Sequence, residues 1–421
     1  MSSIKMKGFK ETIKVEDALN RFFNEFKDKK LDSELIDLKD ALNRVLAEDI
    51  ISKVDIPPFD RSAVDGYALK AENTYGASED NPIRLKLLGR IEAGDKPSIE
   101  IHEGEAVEIA TGAPIPKGAN AVEMVEYTRK INDKTIEVFK QITPYENVSK
   151  IGEDIKKGEL LLKIGTRLKP YDLGIIASIG IPKIRVFKKP KVGILSTGSE
   201  LVELGASLEP GKIINSNRIM ISAMVEELGG TPVDLGIAKD SLEEIKSKII
   251  KGLKESDLII ITGGASVGEK DLVAEAINAI GKPGMIVHGI AIRPGMPTGL
   301  AIVEEKPIAS LSGYPVAAAI GFIALVKPIM MKMLCAYYEP LPKIKAVLSR
   351  RVTSPIGIKS FVRVIVEKVG NKYFAHPLRV TGSGVLSSLV KSNGILIIPE
   401  NKEGVDEGEE VEIILTRHIH E

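Results

Sequence analysis

The stretch DLIIITGGASVGEKD, residues 257–271, decides the fold. Its apolar run, rich in isoleucine and stopped by a glycine pair, is the composition of a strand buried on both faces. LVAEAINAI (272–280) then carries a helical apolar pattern. Upstream, VGILST (192–197) and PVDLGIA (232–238) repeat the strand composition, with patterned helices between them. Ser241, with Glu244 three residues on, predicts a capping box for a helix over 242–253, and Gly229-Gly230 predicts the end of the helix before. Strands alternating with helices over 190–337 imply a mostly parallel sheet covered on both faces. Pro315 suits the first turn of the closing helix, VAAAIGFIALVKPIMMKMLC.

Working outward, the N-terminal segment reads as helix. Val15, Ala18, Leu19, Phe22, Phe23 and Phe26 form one apolar face, and Leu38, Ala41, Leu42, Val45 and Leu46 repeat the spacing. IPPFDRSAVDGYA (56–68) breaks the pattern with two prolines. Short strand-like runs (RLKLLGRI, EAVEIA, NAVEMVEYTRK, KTIEVFK) predict a small β unit over 81–148. The leading loop of 152–170 and the helix PYDLGIIASIG return the chain to the first domain. From 342 onward KAVLSRRV, FVRVIVEKV, GILIIP and EVEIIL predict a second small β domain. The expected class is multidomain α/β plus β. Its parts are a helical linker domain (1–54 and 149–188), a β insertion (55–148), an α/β domain (189–338) and a C-terminal β domain (339–421).

The 421 residues carry 58 Lys+Arg against 58 Asp+Glu. This balance argues against a protein that blankets nucleic acid with basic charge. The single cysteine, Cys335, allows neither an internal disulfide nor a cysteine-rich metal site. No apolar run reaches the ~18 residues of a membrane helix, and the polar start MSSIKMKGFKETIK lacks a signal core. A cytosolic protein is expected.

Ligands of a parallel sheet bind beyond the carboxyl ends of its strands. Three loops are expected there: STGSEL (196–201), INSNRI (214–219) and TGGASVGEKD (262–271). They offer Ser196, Thr197, Gly198, Asn215, Ser216, Asn217, Gly263, Gly264, Ser266 and Gly268 to a substrate. The glycines let the backbone approach an anion, though neither a Walker loop nor a dinucleotide fingerprint is present. Glu200, Asp257, Glu269 and Asp271 read as an acidic group at the same edge. Of these, Glu200, Asp257 and Asp271 are candidate ligands for a hard cation such as Mg²⁺. Asp271 equally suits a helix N-cap, Asp257 a polar strand start and Glu200 a first-turn helix acid. Arg293 in IRPGMP (292–297), with Gly313 and Pro315 in LSGYP (311–315), marks two further anion-favouring turns. His288 shows no ligand spacing and reads as structural.

Together these motifs resemble the molybdopterin molybdenumtransferase family, MoeA, which includes the C-terminal domain of gephyrin. The resemblance rests on PPFDRSAVDGYA, IATGAPIPKGANAVEMVE, IGEDIKKG, ILSTGSEL, INSNRIM, DLIIITGGASVGEKD, IRPGMP, LSGYP and TGSGVLSSL, which span nearly the whole chain. It implies an elongated homodimer in which the cleft between one subunit's α/β domain and C-terminal β barrel receives the other's insertion. It implies insertion of molybdate, or tungstate, into adenylylated molybdopterin, with Mg²⁺-dependent release of AMP. A molybdopterin adenylyltransferase would be a partner. Matched motif by motif, Asp65, Thr111, Asp154, Glu200, Asp257 and Asp271 would be catalytic. Arg363 in FVRV and Ser383 in TGSG would bind the oxyanion.

Two departures stand out. The family usually reads KPGKP where this chain has Arg293-Pro-Gly-Met296-Pro, and PGNP where it has Ser312-Gly-Tyr314-Pro315. They leave three readings open: the insertion enzyme, an adenylyltransferase acting one step earlier, and a non-catalytic pterin-binding scaffold.

Overall fold

Seven consecutive residues, Lys191–Thr197, form the first strand (β1) of a six-stranded sheet. The other strands are Thr231–Ala238 (β2), Leu258–Thr262 (β3), Pro283–His288 (β4), Gly299–Val303 (β5) and Lys306–Leu311 (β6). Their order is β2-β1-β3-β6-β5-β4. The first four positions are parallel, whereas β5 and β4 run antiparallel at one edge. The computed structural model describes residues 12–26, 31–96, 98–264, 271–337, 339–378 and 382–419. Every side chain of β3 is buried, as its unbroken apolar run requires.

Helices Ser216–Glu227 and Leu242–Glu255 connect the parallel strands, Leu272–Ile280 leads from β3 to edge strand β4, and apolar cores lie on both faces of the sheet. Ser241 stands at the N-cap of its helix but its side chain makes no cap bond, so the predicted capping box does not form. The closing helix begins at Pro315 and passes through a π turn, Phe322–Val326, immediately before Pro328. The looser turn suits a proline, which lacks an N–H and crowds the carbonyl four residues back. By length and composition Pro315–Met333 could cross a membrane, with mean hydropathy 1.8, but 72% of that window is buried inside the protein. It is the central core helix.

Two expectations about the N-terminal segment are overturned. Val15–Glu25 is helical, but Val15, Ala18, Phe22 and Phe26 pack with Val287, Leu300 and Phe322 in the α/β core. Its aromatic stripe matches the apolar face that edge strands β4 and β5 leave open. Residues 38–46 are not helical: strand Ser33–Asp37 and one 3-10 turn, Leu38–Asp40, replace the helix. Long-range backbone bonds override the local spacing: Phe187 N donates to Val45 O, and Leu46 bridges Val186. A separate core joins Ala41, Leu46 and Ile50 to Ile155, Leu168, Ile176 and Ile184, so one unit is built from chain on both sides of the insertion.

The insertion is a six-stranded sheet with two apolar clusters drawn only from its own residues. At the C-terminal end, strands Lys343–Leu348, Lys359–Val369, Lys372–Pro377, Gly394–Ile398 and Glu410–Leu415 close into a barrel. The short strand Ile292–Arg293 leaves the α/β domain and pairs in parallel with the barrel at Lys359 and Ser360. Lys359 also bonds Glu16 and pairs with Glu400 at 3.3 Å, tying the first helix to the barrel. Burial opposes charge on both Glu16 and Lys359. The ion pair outweighs it, holding the carboxyl below and the ammonium above their ordinary ranges.

Candidate functional site

Strand order reverses at β1, with β2 on one side and β3 on the other, so the loops after β1 and β3 part to open a crevice. Thr197 ends β1, Gly263 follows β3 and Gly313 follows β6. The three touch through backbone. Gly263 has φ +91°, and a Cβ there would sit 2.2 Å from Thr197 O. A Cβ on Gly264 would meet Thr197 Oγ1 and Val273 Cγ2 at 2.6 Å, and one on Gly313 would meet Gly263 Cα at 3.3 Å. The glycines are needed because three chains converge at van der Waals distance.

Buried amides and hydroxyls line this crevice. Ser196 Oγ donates to Asn215 Oδ1 at 3.0 Å and lies 3.2 Å from Thr262 Oγ1. Asn215 caps the helix at Ser216, accepting from Arg218 N, and Asn217 Nδ2 donates to Gly313 O at 2.7 Å. Three buried atoms are left over: Thr197 Oγ1, Asn215 Nδ2 and Asn217 Oδ1 have no hydrogen-bond partner among the described residues. Leaving such atoms bare costs about 1–3 kcal/mol each. Gly198 and Glu200 sit at the lip, with the Glu200 carboxylate folded over Gly198. Ser266, Gly268 and Glu269 lie outside the described residues.

The three-carboxylate cation set does not assemble. Asp257 precedes β3, so it lies at the amino end of the sheet, about 17 Å of strand away from the crevice. There its Oδ2 accepts from Lys191 N at 2.8 Å, joining the starts of two neighbouring strands. Asp271 is at the crevice, but Oδ1 accepts from Ala274 N as an N-cap and Oδ2 lies 3.0 Å from His288 Nε2. Among the described residues no group of three or more His, Cys, Asp or Glu side chains is disposed to hold a metal ion.

A second recess of about 770 Å³ opens where IRPGMP meets the barrel. Arg293, Met296, Arg350, Arg351, Ser360, Arg363 and Ser383 line it. Arg363 is 9% exposed; its Nε donates to Ser388 Oγ at 3.2 Å, and burial lowers its pKa. Arg351 pairs with Asp406 at 3.1 Å. No carboxylate pairs with Arg293, Arg350 or Arg363 among the described residues, so the recess carries uncompensated positive charge. Crevice and recess are joined: Val316 N donates to Ser383 O at 3.0 Å, and Gly384 lies against the Tyr314 ring. Pro315, at the first position of that helix, fixes the junction.

Asp65 and Thr111 meet each other rather than either recess. Thr111 N donates to Asp65 Oδ1 at 2.8 Å, and this bond, with one from the Thr111 hydroxyl, holds the Asp65 carboxyl below its usual range. Both lie in the insertion. Exposed Asp154 lies in the linker, where its N–H donates to Ile56 O. The sequence reads His288 as structural and does not single out Arg350, Arg351 or Ser388. Arg350 and Arg351 sit in a plain strand ending, LSRRVTS, and only barrel register brings them beside Arg363.

The chain matches three family models: "MoeA N-terminal region (domain I and II)" over 13–180, "Probable molybdopterin binding domain" over 193–332, and "MoeA C-terminal region (domain IV)" over 345–416. The molybdopterin molybdenumtransferase of Bacillus subtilis is 37% identical, aligned over 92% of this chain and 90% of its own. That of Staphylococcus aureus (strain COL) is 35% identical over 96% of both. The crystal structure of the molybdopterin biosynthesis moeA protein from Pyrococcus horikoshii OT3 superposes with a TM-score of 0.84 at 38% identity, covering 96% of this chain and all of that one.

Proposed function

The chain belongs to the MoeA family, and from that premise we propose that it is a molybdopterin molybdenumtransferase, inserting molybdate or tungstate into adenylylated molybdopterin and releasing AMP. The observation that carries the reading is the arginine-lined recess adjoining a crevice with three orphaned polar atoms. A tetrahedral dianion matches guanidinium groups that no carboxylate neutralises, and Ser383 adds a hydroxyl donor. The polar, planar pterin matches Thr197, Asn215 and Asn217, whose spare donor and acceptors it satisfies. The contact between the Tyr314 turn and the Ser383 loop then keeps the oxyanion beside the pterin, which is the proximity that insertion requires.

Glu200, Asp257 and Asp271 do not fit a three-ligand Mg²⁺ site. Asp271, fixed by Ala274 N and His288, is proposed to orient groups of the substrate at that end of the sheet. Asp65 and Thr111 belong to an insertion whose strands pack on one another, and no insertion residue lines the recess. We propose that they would meet such a site only on a second copy of the chain, in a homodimer completed in trans.

The test is direct. The purified chain incubated with adenylylated molybdopterin and molybdate should release AMP above the enzyme-free rate, in step with metal insertion. No release with either molybdate or tungstate refutes the proposal.

A further inference from the structure

Arg350 lies in the bend that follows strand Lys343–Leu348, and that strand pairs with Lys372–Pro377, the neighbour of the strand that carries Arg363. Its Nη2 donates to Pro377 O at 2.8 Å, while Leu378 N donates to Arg363 O at 3.0 Å. Pro377 also pairs with Val364 in the sheet. One dipeptide, Pro377-Leu378, thus anchors both arginines. Both side chains line the recess that Met296 also lines. A guanidinium held by one nitrogen keeps other N–H groups to give. With no carboxylate beside it, Arg350 is half-buried and ready to donate.

The geometry points to Arg350 as a further oxyanion-binding residue, supplying from the barrel the second cation that Met296 does not supply from the IRPGMP loop. The ligand class is a tetrahedral oxyanion dianion, gripped between Arg350 and Arg363 with Ser383 at the rim. Fixed guanidinium pairs suit such a ligand better than one arginine and a solvated lysine, because each presents paired donors in a rigid fork. The assignment deepens the reading given above and rests on it.

Tungstate, which is tetrahedral and redox-inert under these conditions, is titrated calorimetrically into the full chain. Arg350→Gln keeps an N–H for Pro377 O but removes the charge; Arg350→Met removes both. Each is expected to weaken tungstate binding about tenfold to a hundredfold, the loss of one or two charge-assisted bonds. AMP affinity and the melting temperature of Arg350→Gln should stay at wild-type values. Adding Met296→Lys to Arg350→Gln should restore tungstate binding to within about threefold of wild type, because a cation returns to the same recess. Rescue is something that a merely structural role would not show.

If wild type binds tungstate and Arg350→Gln binds it equally well, the Arg350 assignment falls and the functional reading survives. A Gln variant weakened for AMP as much as for tungstate, or one that Met296→Lys does not rescue, also overturns the assignment. If wild type binds neither tungstate nor molybdate, the oxyanion reading of the recess falls, and the Arg350 assignment with it.

Discussion

The crevice at the sheet edge and the recess at the barrel are adjacent halves of one site, built on opposite plans. The crevice is made of backbone. Glycines at 263, 264 and 313 let three strand ends touch, and its polar lining is buried, neutral and short. The recess is made of reach: four arginines on two domains extend into about 770 Å³ of open space. A crevice of this kind recognises shape and fails abruptly when crowded. A recess of this kind recognises charge and should lose affinity in increments as cations are removed. Each experiment below asks whether that contrast holds.

The largest effect is expected at the crevice. Gly263→Ala puts a methyl 2.2 Å from Thr197 O at φ +91°. Strain and overlap should cost about 2–4 kcal/mol together. A scanning-calorimetry transition for the α/β domain should fall by several degrees, and pterin binding should be lost with it. If the variant melts and binds like wild type, the three loops are not in contact and the backbone plan is wrong.

In the recess, Arg363→Met should weaken oxyanion binding about tenfold to a hundredfold without abolishing it. Arg293 and Arg350 remain. Lowering the ionic strength should strengthen the variant's binding, since the surviving arginines act through a partly screened field. Complete loss at all salt concentrations would mean that one arginine, not a set, makes the site.

The insertion offers a pH control that neither half should feel. Glu123 is fully buried, and burial pushes its carboxyl from 4.5 up to about 7, although Met124 N donates to it. The unfolded chain releases this proton near 4.5, the folded insertion near 7. Its stabilising contribution is therefore complete below pH 4.5 and is lost as pH rises through 7. Glu123→Gln should flatten that decline in thermal melts between pH 5 and 8. An unchanged slope would assign the decline to another group.

These plans also explain what sequence could reveal. Unbroken apolar strands, the turn glycines and Pro315 are local signals, so β1, β3 and the crevice loops follow from composition. The barrel's arginines are not local: Arg350 and Arg363 become neighbours only through register across Lys372–Pro377. The segment 38–46 misled for the same reason, since a long-range partner at 183–187 outweighs an amphipathic spacing. The first helix has the right face, but nothing in the sequence says that β4 and β5 are what it covers.

Met296→Lys asks how saturated the recess already is. A lysine added to four arginines should lower the molybdate concentration for half-maximal insertion by up to about tenfold, one charge-assisted bond. AMP affinity should not change, because the crevice is separate. Coincident molybdate curves would place position 296 away from the oxyanion.

The smallest effect is expected at Asp257, and its smallness is the point. Sequence placed this carboxylate with Glu200 and Asp271 because it stands beside the glycine loop in the chain. A strand separates them in space, because Leu258–Thr262 runs from one edge of the sheet to the other. What Asp257 does is accept from Lys191 N at 2.8 Å, which an amide oxygen does equally well. Asp257→Asn should therefore leave insertion activity within about twofold of wild type, the scatter of a surface polar change. Glu200→Gln, at the crevice lip, should reduce it by more, with the folded state of both variants checked by melting. An Asn variant that folds normally yet loses as much activity as the Glu200 variant would show that charge at the amino end reaches the site, and would join two edges that the geometry keeps apart.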